Sequence, residues 1–492
     1  MILLLINFSK IIQHIRSKIF NFQFLKFGMK LRTRYVIIFI FFVIFFVSAT
    51  VLLKYAVGYR YNFKKNSWQK TGVLVIESVP KNASIFLNGE LQEEKTPAKI
   101  MNLFPGDYSV KLQKTNFYDW EKNITIDPNL TTFVQNVALF KKNQTPVLLS
   151  DKIIEFSKLF PNKKEMIFFV KSKTGFNLWL FNFDAKEEKF LASFSLNQLT
   201  QINNIFFNDS EKKILIEGNN ILGKINYLVL NIEKPKEIIV LNELIPNIQK
   251  VKWHIQNDKI LYGVVEAKNQ SSIVQINLKD KKITPVVFET MNILDYFVNE
   301  KFIYYLTLNS ENNIFLKQAN KKDYLSVNKK ITQLPHSNYS FESSMHNILA
   351  ILDKKNQLLY LISPQSEINL KTQELILEAK DMSWSKDGGK ILYYNDSELW
   401  ICYLNQEKLK ESFQKLLSRW EQEILKAVWF PQENYLMYNL SGLIKAIEVD
   451  GYDQKDIIYF LKSENIKDLF FSSRDKFFYF IKNGKLFEME IN

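Results

Sequence analysis

The residue types that most often carry catalysis or bind metals are few and scattered in this chain. Its four histidines are His14, His254, His336 and His346, and no two of them have the spacing of a metal-binding pair. The single cysteine, Cys402, lies in an apolar run and is interpreted as a small core residue rather than a nucleophile. The sequence contains no Gly-x-Ser-x-Gly elbow and no glycine-rich phosphate loop. We therefore predict no catalytic residue, no metal site and no cofactor.

Two short segments have a superficial likeness to functional motifs. The run Ser-Trp-Ser-Lys-Asp-Gly at 383–388 is similar to the Asp-box of sialidases, but its tryptophan precedes the Asp-Gly pair instead of following it. The run Val-Asp-Gly-Tyr-Asp at 449–453 could be mistaken for a calcium loop. Both are interpreted as turns between β-strands.

A 19-residue segment without any charge, 35–53, is long enough to cross the hydrocarbon core of a membrane as a helix. The basic residues Lys26, Lys30, Arg32 and Arg34 precede it closely. By the positive-inside rule, residues 1–34 form a basic cytoplasmic N-terminus, and the chain after the span lies outside the cell membrane.

Two alternatives to this single-pass topology stay open. The small residues at 47–49 resemble the cleavage site of a signal peptide, although the apolar run continues to Leu53, which favours a retained anchor. Translation could start at Met1 or at Met29. In the first case the basic, partly apolar stretch 1–28 could lie on the anionic inner leaflet.

Net charge and composition limit the class of the remaining chain. The protein carries a net charge of +14, and residues 1–54 contain eight basic and no acidic residues, which leaves +6 for the other 438 residues. A basic stripe for nucleic acid is therefore not predicted. With 47% hydrophobic and 24% charged residues, the 438 residues can form more than one folded domain. One cysteine permits no internal disulfide, so packing alone must stabilise them.

After an aromatic stalk at 54–71, the pattern changes to the period of two that is typical of β-strands. Short β-rich runs occur at 73–76, 84–87, 108–112, 124–126 and 133–139, separated by turn residues such as Asn88-Gly89 and Pro105-Gly106. Strands at this spacing, with no helical segment between them, predict a small antiparallel β-sandwich.

Residues 72–140 resemble the PEGA domain, a surface-associated β-module. The resemblance rests on four blocks: Ser-Val-Pro-Lys-Asn-Ala-Ser-Ile-Phe-Leu-Asn-Gly at 78–89, Thr-Pro at 96–97, Leu-Phe-Pro-Gly-Asp-Tyr-Ser-Val at 103–110, and Trp120. Two positions depart from the family pattern, because Pro-Lys-Asn-Ala replaces Pro-Glu-Gly-Ala and Asn-Phe replaces the Gly-Tyr before the tryptophan. The motif residues are interpreted as turn formers and not as a ligand site.

From about residue 145 to 492 the chain repeats a three- or four-strand unit. Aromatic or leucine anchors recur at intervals of 41 to 47 residues, at Leu159, Phe206, Trp253, Tyr296, Phe341, Trp384, Trp429 and Phe470. This period is typical of a β-propeller of the TolB/WD40 kind, and eight anchors favour eight blades. Seven blades stay possible because the fourth repeat is weak. Glycine is also scarce, so Asn, Asp and Lys must form many turns, as at 162–163, 208–209, 257–258 and 474–475.

The last repeat ends after a third strand, so its fourth strand must come from elsewhere. Residues 146–149 precede the first repeat and are expected to pair with 485–491, which would close the ring and remove its open edges. Leu148 is expected to be buried in that pairing.

Two functions are compatible with this all-β ectodomain behind one transmembrane helix. We favour a non-enzymatic binding or scaffold protein of the cell envelope, whose propeller recruits a protein or a cell-wall glycan. The alternative is a propeller glycosidase or lyase with carboxylates lining its channel. Trp253, Trp384 and Trp429 occupy equivalent repeat positions and are expected to pack between blades rather than stack on sugars. The order of span, stalk, PEGA-like module and propeller also resembles a group of membrane proteins from small-genome candidate-phylum bacteria.

Overall fold

The computed structural model describes residues 31–267, 270–321, 328–364, 372–449, 457–473 and 476–491. The basic stretch before residue 31, with His14 and both candidate start sites, lies outside these residues, as do most of the turn at 449–453 and that at 474–475. By its internal contacts the chain divides into two compact units, one of residues 1–76, 98–108 and 124–134, the other of 77–97, 109–123 and 135–492.

One long helix, α1 (Leu31–Ala56), contains the predicted span and extends beyond it at both ends. Within the described residues, its segment Tyr35–Ala56 is the one helical stretch long and apolar enough to cross a membrane. Its apolar side chains are exposed to solvent, which would be costly in water. An antiparallel hairpin of β1 (Tyr59–Asn62) and β2 (Ser67–Lys70) follows the helix.

The PEGA-like segment forms two sheets, in which β3 pairs antiparallel with β6, and β4 pairs antiparallel with β5 and β7. Their strands are β3 (Gly72–Val79), β4 (Ser84–Leu87), β5 (Glu90–Lys95), β6 (Ala98–Leu103), β7 (Gly106–Gln113), β8 (Trp120–Ile126) and β9 (Thr131–Ala138). The strand orders are β6-β3-β9 and β5-β4-β7-β8. Strands β5 and β6 were not predicted, because β5 is an almost fully exposed edge strand without apolar alternation. The turn prediction for Asn88-Gly89 is confirmed, since both residues have positive φ, 50° and 83°.

Eight four-stranded antiparallel sheets follow within the described part of the chain. Sheet 1 contains β11 (Ile154–Leu159), β12 (Glu165–Ser172), β13 (Gly175–Asn182) and β14 (Glu187–Ser195). Sheet 2 contains β15 (Gln201–Phe207), β16 (Lys213–Asn219), β17 (Ile225–Asn231) and β18 (Ile238–Val240), after which comes the short helix α2 (Leu241–Leu244). Sheet 3 contains β19 (Ile248–His254), β20 (Asn257–Ala267), β21 (Gln270–Asn277) and β22 (Lys282–Glu289). Sheet 4 contains β23 (Asn292–Val298), β24 (Phe302–Leu308), β25 (Ile314–Asn320) and β26 (Lys329–Leu334).

The same arrangement continues to the end of the chain. Sheet 5 contains β27 (Tyr339–Phe341), β28 (Leu349–Asp353), β29 (Leu358–Ser363) and β30 (Gln373–Glu378). Sheet 6 contains β31 (Asp381–Trp384), β32 (Lys390–Tyr394), β33 (Glu398–Tyr403) and β34 (Phe413–Arg419), with a 3-10 turn at Leu409–Glu411. Sheet 7 contains β35 (Ile424–Trp429), β36 (Tyr435–Leu440), β37 (Leu443–Glu448) and β38 (Ile457–Lys462). Sheet 8 combines β39 (Ile466–Phe471), β40 (Phe477–Lys482) and β41 (Lys485–Glu490) with β10 (Val147–Ser150). Each of the eight predicted anchors lies in the first strand of its repeat. These strands are β11, β15, β19, β23, β27, β31, β35 and β39.

The predicted pairing between the start and the end of the repeat region is confirmed. Strand β10 pairs with β41, with Val147 opposite Glu488 and Leu148 opposite Phe487. The expectation that Leu148 is buried is wrong, because 47% of this residue is exposed. Its neighbour Leu149 packs instead into the apolar cluster between sheets 8 and 1. The reason is the alternation of the strand, which directs adjacent side chains to opposite faces.

Apolar clusters connect the sheets in sequence. Separate clusters join sheets 1 and 2, 2 and 3, 3 and 4, 4 and 5, 5 and 6, 6 and 7, and 7 and 8. Another cluster joins sheet 8 back to sheet 1, with Phe168 and Phe183 of sheet 1 against Phe470 and Tyr479 of sheet 8. Sheet 8 therefore packs against sheet 1 as well as against sheet 7, in addition to the backbone pairing of β10.

The second compact unit also contains contacts between the PEGA-like sheet and sheet 7. Lys122 of β8 forms an ion pair with Glu448 of β37. The ring of Phe140 makes edge-to-face contacts with Phe430, Tyr435 and Phe460, with ring centroids 5.1 to 5.6 Å apart. An apolar aromatic cluster and a buried ion pair together fix the orientation of β8 against this sheet.

Candidate binding site in the repeat domain

The first strands of several neighbouring sheets lie in contact with one another. These contacts join β15 to β19, β19 to β23, β23 to β27, and β35 to β39. Charges also interact across several sheets: burial raises the pKa of Glu217 on β16, and charges that partly offset this effect include that of Lys354, just beyond β28. Charged side chains from non-adjacent sheets thus lie within electrostatic range of one another.

Four charged residues form what we call the central charged cluster: Lys158, Asp381, Lys426 and Asp468. They come from the first strands of sheets 1, 6, 7 and 8. Lys426 Nζ lies 3.1 Å from Asp381 Oδ2. The same carboxylate oxygen accepts a hydrogen bond from the hydroxyl of Tyr394, at 2.8 Å.

The pKa values in this cluster are shifted by burial and by neighbouring charges. Burial raises the pKa of Asp468, and the nearby ammonium groups of Lys426 and Lys158 only partly offset this effect. Burial lowers the pKa of Lys158, as does the like charge of Lys426. Burial also disfavours the charged form of Lys426, but Asp381 and Asp468 outweigh it and raise the pKa of this lysine. Lys158 nevertheless keeps exposed surface.

A second charged group has a structural role. Lys252 Nζ lies 2.7 Å from Asp295 Oδ1 and donates to the carbonyl oxygen of Tyr296, also at 2.7 Å. The other oxygen of the buried Asp295 accepts the backbone N–H of Phe341 at 2.8 Å. These bonds join sheets 3, 4 and 5, so every oxygen of this carboxylate is engaged.

Both carboxylates of the central charged cluster have hydrogen-bonding or charged partners within the protein. Asp381 is held by Lys426 and Tyr394, and Asp468 accepts the N–H of Leu469 at 2.9 Å. The charge of Lys426 acts on both carboxylates, by a direct contact with Asp381 and at longer range on Asp468. Among the described residues, no group of three or more His, Cys, Asp or Glu side chains is arranged to hold a metal.

The three histidines and the cysteine within the described residues form no common cluster. His254 Nδ1 accepts the N–H of Gln256 at 3.0 Å, and burial and then Lys321 lower its pKa. His346 Nε2 lies 2.7 Å from the carbonyl oxygen of Asp387, in a turn, and His336 is exposed in a different loop. Cys402 is buried, which raises the pKa of its thiol to about 12 and removes its nucleophilic character near neutral pH.

The indole groups of the repeat tryptophans bind the backbone of the preceding sheet. Trp253 Nε1 donates to the carbonyl of Phe206 at 3.0 Å, and Trp429 Nε1 to that of Ser383 at 3.2 Å. Trp384 Nε1 donates in the same way to Ser343 at 2.6 Å. The expected packing role is therefore confirmed, since each indole links two consecutive sheets.

An exposed aliphatic surface, which the sequence reasoning missed, lies on two loops of sheets 1 and 2. We call it the aliphatic patch; its residues are Leu196, Ile221, Leu222 and Ile225, with exposed fractions of 38% to 76%. The loop after β14 is joined to the β16–β17 hairpin by a bond from Asn226 Nδ2 to the carbonyl of Gln198 and by two from the Thr200 hydroxyl to the hairpin backbone. The sequence signal that could have predicted this patch is a run of apolar residues within a turn.

Comparison with known proteins gives fold-level similarities for most of the chain. The structure titled Dos1 propeller is 12% identical, covers 71% of this chain and 95% of its own, and has a TM-score of 0.48. Sqt1 of Saccharomyces cerevisiae is 11% identical, with coverages of 71% and 99% and a TM-score of 0.46. An oligogalacturonate lyase in complex with manganese is 12% identical, with coverages of 68% and 99% and a TM-score of 0.40. A search of curated protein sequences found no significant match. Residues 71–142 match the PEGA domain model, so this segment is similar to PEGA domains.

Proposed function

We propose that this protein is a non-enzymatic scaffold of the cell envelope, anchored by α1, whose repeat domain is an eight-bladed β-propeller that recruits a protein partner. In this proposal the eight sheets are the blades of one closed ring, with β10 completing the last blade. The closing cluster between sheets 8 and 1 supports a ring without an open edge. The PEGA-like segment and the apolar span support an extracytoplasmic location.

The observation that carries the proposal is the aliphatic patch. Exposing apolar side chains to water is unfavourable. Exposed apolar surface therefore often marks a site of protein association. The patch contains no aromatic ring, whereas sugar-binding surfaces usually offer an aromatic face for stacking. The repeat tryptophans, which could have provided such faces, are bound between sheets. A protein partner is therefore favoured over a glycan.

The joint between the PEGA-like sheet and sheet 7 supports a scaffold role. Lys122 and Glu448 are paired in a nearly dry environment, and Phe140 packs among three aromatic rings. A rigid joint would hold the loops of the propeller in a fixed orientation to β8. Loops on a rigid framework are where binding residues usually lie.

A pull-down with a matched control tests the partner proposal. The full chain, solubilised in detergent, is compared with the variant I221D/L222D and with I376D, which changes a similarly exposed isoleucine on β30 of sheet 5. We expect a partner that both the wild type and I376D retain and that I221D/L222D binds at least about tenfold more weakly, as for a hydrophobic hot spot. Equal binding by all three proteins would refute the role of the patch.

The enzyme alternative has its own test. Purified protein is incubated with cell-wall glycans and with acidic polysaccharides, and reducing ends are measured for wild type, D381N and D468N. Turnover by the wild type that either single substitution abolishes would overturn the non-enzymatic proposal. We expect no turnover, because Lys426 pairs with the carboxylate of Asp381.

A further inference from the structure

The hairpin of β1 and β2 is fixed to the C-terminal end of α1. Only two residues separate the helix from β1, and the backbone N–H and hydroxyl of Thr71 both donate to the carbonyl of Gly58, at 3.1 and 3.0 Å. Arg60 Nη1 donates to the carbonyl oxygens of Tyr55 and Tyr59, at 2.9 Å each. A cationic group on the last carbonyls of a helix is favoured by the helix dipole. The hairpin therefore stays where the apolar helix ends.

The tip of this hairpin exposes an aromatic ring. Phe63 is 83% exposed, and its ring lies edge-to-face on Tyr61, with centroids 5.0 Å apart. Tyr61 in turn contacts Trp68 at 5.6 Å, and Lys54 Nζ lies 5.4 Å from the centre of the Trp68 ring. Aromatic rings beside a transmembrane helix are enriched at the level of the lipid headgroups.

The charge of the segment has one sign. Residues 54–76 contain five basic residues and no acidic residue. Two of these, Lys64 and Lys65, are exposed directly beside Phe63. Juxtamembrane lysines and arginines are attracted to anionic lipid surfaces, with about 1 kcal/mol for each residue near the surface. The position of the hairpin, its exposed aromatic ring and its positive charge therefore all favour contact with an anionic lipid surface.

We propose that the β1–β2 hairpin binds anionic phospholipid headgroups of the membrane that α1 crosses, with Phe63 inserted between headgroups and Lys64 and Lys65 on their phosphates. The hairpin would fix the depth of the helix and the height of the domains that follow it. This inference rests on α1 being a membrane span. It does not depend on the partner of the propeller or on which side of the membrane the hairpin lies.

A single-cysteine reporter tests this inference in the full chain. Cys402 is buried, so S67C on β2 provides the one accessible thiol of the described residues for a polarity-sensitive fluorophore. The labelled protein is reconstituted in nanodiscs of phosphatidylcholine alone or with phosphatidylglycerol. We expect a blue shift and protection from an aqueous quencher only in discs with phosphatidylglycerol, and a partial loss of both at high salt.

Substitutions separate headgroup binding from simple proximity to the bilayer. K64Q/K65Q should lower the ratio of bound to free hairpin about 30-fold, which corresponds to two lysines at about 1 kcal/mol each. F63A should weaken the blue shift as well. The matched control K281Q/K282Q removes two exposed lysines at the start of β22 in sheet 3 and should behave as the parent protein.

Two results would overturn the inference. Identical spectra and quenching in both kinds of disc would mean that no anionic headgroup is recognised. Protection that K64Q/K65Q leaves unchanged would mean that the hairpin is held by α1 alone. Both readouts are independent of the pull-down with the propeller, so loss of the partner there would not affect this result.

Discussion

Lys122 and Glu448 form an ion pair of 3.1 Å between β8 and the end of β37, with only 1% of the lysine side chain and 12% of the glutamate side chain exposed. These residues are more than 300 positions apart in sequence. Two charges removed from water are stable only when both partners are present. This pair therefore links the start of β8 to the end of β37 within the second compact unit.

Removing one partner of this pair should destabilise the protein strongly. K122M should lower the free energy of unfolding by about 3 to 5 kcal/mol, because the carboxylate of Glu448 would be left buried without its counter-ion. Chemical denaturation followed by fluorescence measures this change. K122M/E448L should recover most of the loss. The control K111M breaks a pair with Asp119 that is about one-third exposed on both sides, and should cost less than about 1 kcal/mol. Equal effects of K122M and K111M would contradict the prediction.

Closure of the proposed ring by β10 should be sensitive to substitution of Leu149 but not of Leu148. L149D places a carboxylate in the cluster between sheets 8 and 1 and should cost several kcal/mol. L148D changes a side chain that is half exposed and should cost less than about 1 kcal/mol. Thermal unfolding, with limited proteolysis to locate cleavage sites, distinguishes the two. A wild-type melting temperature for L149D would show that the strand does not stabilise the ring.

Asp468 should make the protein less stable as pH rises. Its folded pKa is raised by burial, so the unfolded chain loses this proton at lower pH than the folded chain, and stability falls as pH rises from the unfolded pKa through the folded pKa. D468N should therefore melt about 2 °C higher than wild type near pH 8. The difference should shrink near pH 4, where the carboxyl group is protonated in the folded state. The exposed D209N serves as control, and a pH-independent difference would refute the assignment.

The retained, N-terminus-inside anchor is directly testable. Basic residues in the 20 positions before Tyr35 outnumber those in the 20 after Leu53 by six to five, so the positive-inside rule favours a cytoplasmic N-terminus. We expect protease added to spheroplasts to digest the repeat domain while the N-terminus stays protected. Digestion of an N-terminal tag while the propeller stays uncleaved would exclude this topology. A soluble form that begins near Thr50 would exclude it as well.

The sequence alone determined the apolar span, the PEGA-like motif and the period of the repeat. Each of these signals is local: a run of 19 uncharged residues, turn residues such as Asn88-Gly89 with positive φ, and anchors spaced 41 to 47 residues apart. Local patterns are visible because side-chain periodicity and turn geometry depend on adjacent residues. Pairing of 146–149 with the last strand was also accessible, since the final repeat lacked one strand.

Only the tertiary structure decided which residues meet. Strand β5 has no apolar alternation and is identified only by its pairing with β4. Three features join residues that are far apart in the sequence. They are the side of β10 that faces the core, the ion pair between Lys122 and Glu448, and the central charged cluster. Their proximity depends on how the sheets pack around one another, and no local pattern encodes the distance between two charges on different sheets.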